Sequence, residues 1–209
     1  MEPTLSQILW REPWSSRTQR DLDQAFHSCA LRLHPVGSQE LSLLNGTVGG
    51  VALMEYVHLA PAGPRWTSLH LPSSKISAEC LLAQLVALLG KPGLVLTEFQ
   101  NTAWGFILLA PGGKRHEFMN LPGLEEARGP SKPIDLTAIG EILEIPLESF
   151  AGYLKPQSQD VVSTRKIIPT DHFSLGDPWI RVDFLRALGI EYPTPGQCAH
   201  GRFLRWTPR

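Results

Sequence analysis

Apolar positions recur along the chain with two periods, and each period predicts a different kind of element. Helical spacing comes first. Leu22, Ala25, Phe26 and Cys29 share one face of a segment from about Ser16 to His27, and Ser16 with Gln19 fits a capping box. The clearest helix is Ala78 to Leu89. Ser77 is its N-cap, and Ile76 and Leu81 form a hydrophobic staple. Leu81, Leu82, Leu85, Val86, Leu88 and Leu89 cover more than one face, which predicts deep burial, and Gly90 and Pro92 stop it. Short helices follow Asp135 and run from Leu147 to Leu154. A last helix opens at Asp177-Pro178 and closes at Gly189, with Ile180, Phe184 and Leu188 as its stripe.

Alternation of period two predicts strands. It occurs at Leu31 and Leu33, from Glu40 to Leu44, from Thr47 to Leu59, and from Trp66 to Leu71. It returns at Leu94 to Phe99, Ala103 to Leu109 and Arg115 to Met119. Asn45-Gly46 supplies two residues that tolerate the positive φ of a tight hairpin, and Gly49-Gly50 marks a bulge. Short connections imply antiparallel pairing, because a parallel crossover needs a longer link. The fold class is therefore α+β: a mostly antiparallel sheet of five to seven strands, covered by the 78–89 helix, with a helical C-terminal part. Residues 1–120 read as the sheet domain, 121–133 as a Gly, Pro and charge-rich connector, and 134–209 as the helical part packed on the first as one unit. The tail after Pro193 reads as turn-rich.

Composition narrows the function classes. The 209 residues are 43% hydrophobic and 19% charged, which excludes disorder throughout. A formal net charge of −1 gives no chain-wide attraction to nucleic acid or anionic lipid. Cys29, Cys80 and Cys198 are odd in number and lack framework spacing, which predicts a reducing, cytoplasmic setting. The first residues show no basic segment followed by an apolar run, so no signal peptide is expected, and no apolar stretch is long enough to span a bilayer.

Candidate chemistry is sparse. His27-x-Cys29 and Cys198-x-His200 could each offer two zinc ligands, but their spacing is not that of common zinc modules. His58, His70 and His116 sit on predicted strands, where a sheet face could gather them. Ser28-Cys29 and Ser73-Ser74 lie in no nucleophile elbow. Asp171-His172 could be half of an acid–base pair, but it reads better as a turn, and Glu125-Glu126 as wet connector. The Asn45–Gly50 run lacks the Lys-Ser/Thr of a P-loop. Residues Ala138 to Leu154 resemble the hydrophobic pattern of a helix-turn-helix, with Glu144 where that turn usually carries Gly. Without a basic recognition face it reads as an αα-hairpin for packing. No cofactor and no metal are expected.

Three segments together carry a family resemblance. They are Thr102-Ala103-Trp104-Gly105-Phe106 with the hairpin through Phe118, the helix pair ending at Tyr153-Leu154-Lys155-Pro156, and the run from Trp179 to Pro193. Their order is similar to that of a loosely defined group of uncharacterised bacterial cytosolic proteins, some of which resemble immunity or accessory proteins of toxin systems. The resemblance covers the C-terminal half and implies no active site.

Two functions are expected from these readings. The first is a non-enzymatic protein that docks another protein by steric fit. Trp10 and Trp14, in a Pro-containing N-terminal segment expected to stay unburied, are its interface anchors. The second is a nucleic-acid accessory protein. In it Arg202, Phe203, Arg205 and Trp206, with Arg209, form a basic and aromatic tail that stacks on single-stranded bases.

Overall fold

The computed structural model describes residues 5–37, 56–71, 76–99, 103–120, 134–154, 165–174, 177, 179–192 and 202–208. Among them, eight strands form one sheet in which every pair is antiparallel. The strands are β1 (Leu5–Trp10), β2 (Leu31–Pro35), β3 (Tyr56–Pro61), β4 (Thr67–Leu71), β5 (Gly93–Phe99), β6 (Ala103–Ala110), β7 (Lys114–Asn120) and β8 (Arg202–Pro208). Their order across the sheet is β2-β8-β3-β4-β1-β5-β6-β7. The α+β class follows directly. Two strands go beyond the sequence-based expectation, β1 and β8, one from each end of the described chain. The Asn45-Gly46 hairpin, the Gly49-Gly50 bulge and the 121–133 connector lie outside the described residues.

Helices cover both faces of the sheet. On one face lie α1 (Ser16–Ser28) and α2 (Ala78–Leu89). Leu22, Ala25 and Phe26 of α1 and Leu81, Leu82 and Leu85 of α2 share a core with Ile8, Trp10, Leu59, Leu69, Leu204 and Trp206. On the other lie α3 (Leu136–Leu143), α4 (Leu147–Phe150) with a 3-10 turn at Ala151–Leu154, and α5 (Ile180–Ala187). They bring Ile139, Phe150, Tyr153 and Phe184 against Leu9, Leu96, Trp104, Phe106 and Phe118. Each of these large side chains contributes about 1.5–3 kcal/mol by leaving water. Covering both faces explains why β1 shows no alternation. Ile8, Leu9 and Trp10 are all buried, in turn toward opposite cores.

Local chemistry sets the helix ends. The N-cap of α1 is Ser15, one residue before the expected position. Its hydroxyl accepts from the Thr18 N–H, and the Thr18 hydroxyl accepts from the Ser15 N–H, so Thr18 replaces Gln19 in the capping box. Ser77 caps α2 as expected, and Gly90 ends it at φ 64°. Asp135 caps α3 through the Ala138 N–H at 2.9 Å. The αα-hairpin is present, and Glu144 itself takes the left-handed position at its turn, with φ 51°. Its carboxylate is paired with Arg11 at 2.7 Å, which ties this turn to the residues just after β1.

Close approach between β6 and β7 requires Gly105. A Cβ there would stand 2.6 Å from both the Phe118 carbonyl oxygen and the Met119 sulfur. Gly105→Ala is therefore expected to cost about 1–3 kcal/mol in denaturant unfolding. Gly37→Ala, where a Cβ meets nothing within 4 Å, should stay within about 0.5 kcal/mol of wild type. Equal stability of the two variants would contradict this packing.

Candidate functional site

The exposed large apolar side chains among the described residues are Leu147 and Trp179, at 42% and 41% exposure. Both belong to the C-terminal helices. Trp179 is the N-cap residue of α5, and its backbone N–H donates to Asp177 Oδ1 at 2.8 Å. Among the described residues the indole has two ring or cation contacts. The Phe173 ring stacks at 6.3 Å between centroids, and the Arg181 guanidinium lies 4.2 Å from the ring centroid. Arg181 is itself buried, and its Nη2 donates to Glu98 Oε2 on β5 at 2.7 Å. An exposed indole thus rests on a buried ion pair that locks α5 to the sheet.

The loop before α5 is held by two buried carboxylates. Asp171 accepts from the Tyr153 hydroxyl at 2.6 Å and from the Ile168 N–H at 2.8 Å. Asp183, on α5, accepts from the backbone N–H groups of His172 and Phe173, at 3.2 and 2.8 Å. Arg186 spans both acids, at 3.4 Å from Asp171 Oδ1 and 2.9 Å from Asp183 Oδ1, and donates to the Thr170 carbonyl. Burial, and then the bond to Asp171, push the Tyr153 phenol above its ordinary range, so it stays a neutral donor. Gly152 lets the 3-10 turn approach this loop, since a Cβ there would meet Ile167 Cγ2 at 2.4 Å.

This constellation fastens the 165–174 loop to α5. Asp171-His172 is a turn, as the residue types suggest. His172 is mostly exposed, and its Nδ1 stands 3.8 Å from Asp183 Oδ1, beyond a hydrogen bond. Both carboxylates are already engaged by backbone N–H groups. Among the described residues no group of three or more His, Cys, Asp or Glu is placed to hold a metal ion. Cys198, His200, Ser73, Ser74, Glu125 and Glu126 lie outside the described residues.

The residues expected to bind are brought together only in part, and chiefly within the core beneath α1 and α2. Trp10 is 1% exposed, which corrects the expectation that it is an unburied anchor. It sits on a strand covered from both sides, and it packs with α1 and α2. Trp14 is partly buried against the same core, with the Arg202 guanidinium 5.9 Å from its ring centroid. Arg202, Phe203, Arg205 and Trp206 form no tail. They lie in β8, where successive side chains alternate between faces. Trp206 is buried with Leu204 in the α1–α2 core, and Phe203 packs 4.6 Å from His58 on the opposite face. Arg202 and Arg205 are exposed, but three positions apart on a strand they point to opposite sides of the sheet. The four residues therefore divide between the faces, Phe203 and Arg205 on one and Arg202 and Trp206 on the other. Arg209 lies outside the described residues. Trp179, which is exposed, enters the sequence reading only at the head of the run from Trp179 to Pro193, with no binding role.

A second polar group crosses the sheet. Gln7, His70, His58 and Phe203 are successive cross-strand partners on β1, β4, β3 and β8. His116 is not among them, being on β7 at the far edge. The Gln7 side-chain amide donates to Ser68 Oγ at 3.0 Å and lies 3.3 Å from His70 Nε2. The Gln7 Oε1 atom is buried with no hydrogen-bond partner among the described residues.

Comparison with protein families, with characterised proteins and with solved structures finds no match to this chain. Among the described residues no helix is long and apolar enough to cross a membrane.

The histidine row has a pH consequence. Burial first, and His58 second, lower the His70 pKa to about 3. The unfolded chain binds that proton near pH ~6.5. Above this pH both states are neutral and stability is full. Below it only the unfolded chain takes up the proton, so stability falls as pH drops toward 3. Urea unfolding should show a loss from this group of about 1–2 kcal/mol between pH 7 and pH 5. His70→Gln, which has no proton to gain, should flatten the slope by that amount. An unchanged slope would contradict a neutral His70.

Proposed function

We propose that this protein works without catalysis of its own, by docking another protein on the face that carries Trp179. The supporting observation is an indole 41% exposed yet fixed by Phe173, Arg181 and the Asp177 cap. Tryptophan is a preferred interface anchor because it desolvates a large ring with few side-chain torsions to freeze. A surface already rigid before contact loses little further entropy on binding. The similarity of these C-terminal segments to a loosely defined group of uncharacterised bacterial proteins, some of which resemble immunity or accessory proteins, favours a steric mode of action, in which this face fills a site on its partner. The frameworkless cysteines support a reducing, cytoplasmic setting.

The test is gentle purification of the tagged full chain from its own host, followed by direct binding measurements with the protein it retains. Trp179→Ala should weaken that binding at least tenfold, as a central anchor does. The variant should melt within about 2 °C of wild type, because an exposed ring contributes little to folding. Recovery of the free monomer alone, or binding that Trp179→Ala leaves intact, would contradict the proposal.

A further inference from the structure

The two described cysteines lie 51 positions apart in the chain, yet their sulfur atoms stand 3.5 Å from each other. Cys29 is the C-cap residue of α1, and its N–H is bonded back to the Ala25 and Phe26 carbonyls. Cys80 is in the first turn of α2, where its N–H donates to the Ser77 cap. Both backbones are therefore held by helix-end hydrogen bonds. The two helices in turn share one core through Leu22, Ala25 and Phe26 on α1 and Ala78, Leu81 and Leu82 on α2. The sulfur contact is a consequence of helix packing and does not depend on a mobile loop. A bond length near 2.05 Å would require the sulfurs to close by only ~1.5 Å, within reach of side-chain rotation.

We propose that Cys29 and Cys80 are a redox-reactive dithiol that forms an intramolecular disulfide with a small disulfide such as glutathione disulfide, clamping α1 to α2. Cys80 is exposed and Cys29 is half-buried, so their roles differ. The Cys80 thiolate attacks one sulfur of glutathione disulfide, which forms a mixed disulfide and releases one glutathione thiolate. Cys29 then gives its proton to solvent and attacks the Cys80 sulfur, breaking the mixed disulfide and releasing the second glutathione. Two electrons pass from the protein sulfurs to glutathione disulfide, and the products are one protein disulfide and two glutathione thiols. Burial, together with the neighbouring Cys80, pushes the Cys29 thiol up to about 11, so it is the poorer attacker of the pair and the first step falls to the exposed Cys80. Its proximity to the mixed disulfide offsets its low thiolate fraction, since an intramolecular thiol acts at high effective concentration. Nothing in this chemistry involves Trp179, so it stands apart from the docking proposal.

The full chain carrying Cys198→Ser leaves only this pair. It is equilibrated without denaturant in buffers of reduced and oxidised glutathione, quenched with N-ethylmaleimide, and weighed intact. The expected result is a two-electron transition from two maleimide adducts to none, with no glutathione retained and a monomer throughout. Peptide mapping should find Cys29 joined to Cys80. Adding Cys29→Ser should instead trap one glutathione on Cys80. The oxidised protein should melt about 5–10 °C higher, because the bond closes a long loop in the unfolded chain. Two maleimide adducts at every ratio, a stable mixed disulfide with Cys29 present, a cross-linked dimer, or a disulfide that forms only in denaturant would each overturn the proposal.

Discussion

The sheet is continuous because β8 fills the space between β2 and β3. Leu31–Pro35 pairs with β8, and Tyr56–Leu59 pairs with the other edge of β8. Without Arg202–Pro208, β3 would expose a row of unpaired N–H and C=O groups, and β2 would lose the sheet partner it has among the described residues. Leu204 and Trp206 would also leave the core beneath α1 and α2. The described residues between β7 and β8, with α3, α4 and α5, are therefore an excursion from a sheet that β8 completes. The last strand belongs to the sheet of residues 5–120 and not to the helices that precede it.

That closure fixes what the excursion can present. Residues 134–192 contribute Ile139, Phe150, Tyr153 and Phe184 to the core, and α5 is further tied to β5 by Arg181 and Glu98. An ion pair so buried loses much of its attraction to desolvation, so its worth lies more in fixing one arrangement than in net stability. Removing either partner would strand a charge in the interior. The same logic applies to Asp171 and Asp183, whose oxygens take backbone N–H groups that the 165–174 loop would otherwise leave unmet. The result is a loop and helix start held by the chain's own hydrogen bonds and ion pairs, with one indole facing outward.

Much of the fold was legible because its signals are local. Ser77 with Ile76 and Leu81 marks α2, and Asp135 marks α3. Each acts within a few residues. The two missed strands fail for opposite reasons. In β1, burial on both faces erases the period that would betray a strand. In β8 the period is present, Leu204 and Trp206 alternating with Arg205, but charged neighbours and a terminal position made it resemble a solvated tail. The site was less legible still. Trp179 differs from Trp10 and Trp14 only in what covers it, and that depends on α5 docking through a residue 83 positions away. The Cys29–Cys80 contact is equally non-local. Three cysteines without spacing in the chain say nothing about which two a pair of packed helices will bring together.

Native-state hydrogen exchange tests the closure of the sheet by its last strand. Amides of residues 203–207 that pair with β2 or β3 should open only with global unfolding, as slowly as those of β1 and β3. Exchange of these amides at the rate of an unprotected chain end, while β1 stays protected, would contradict the architecture on which the rest depends.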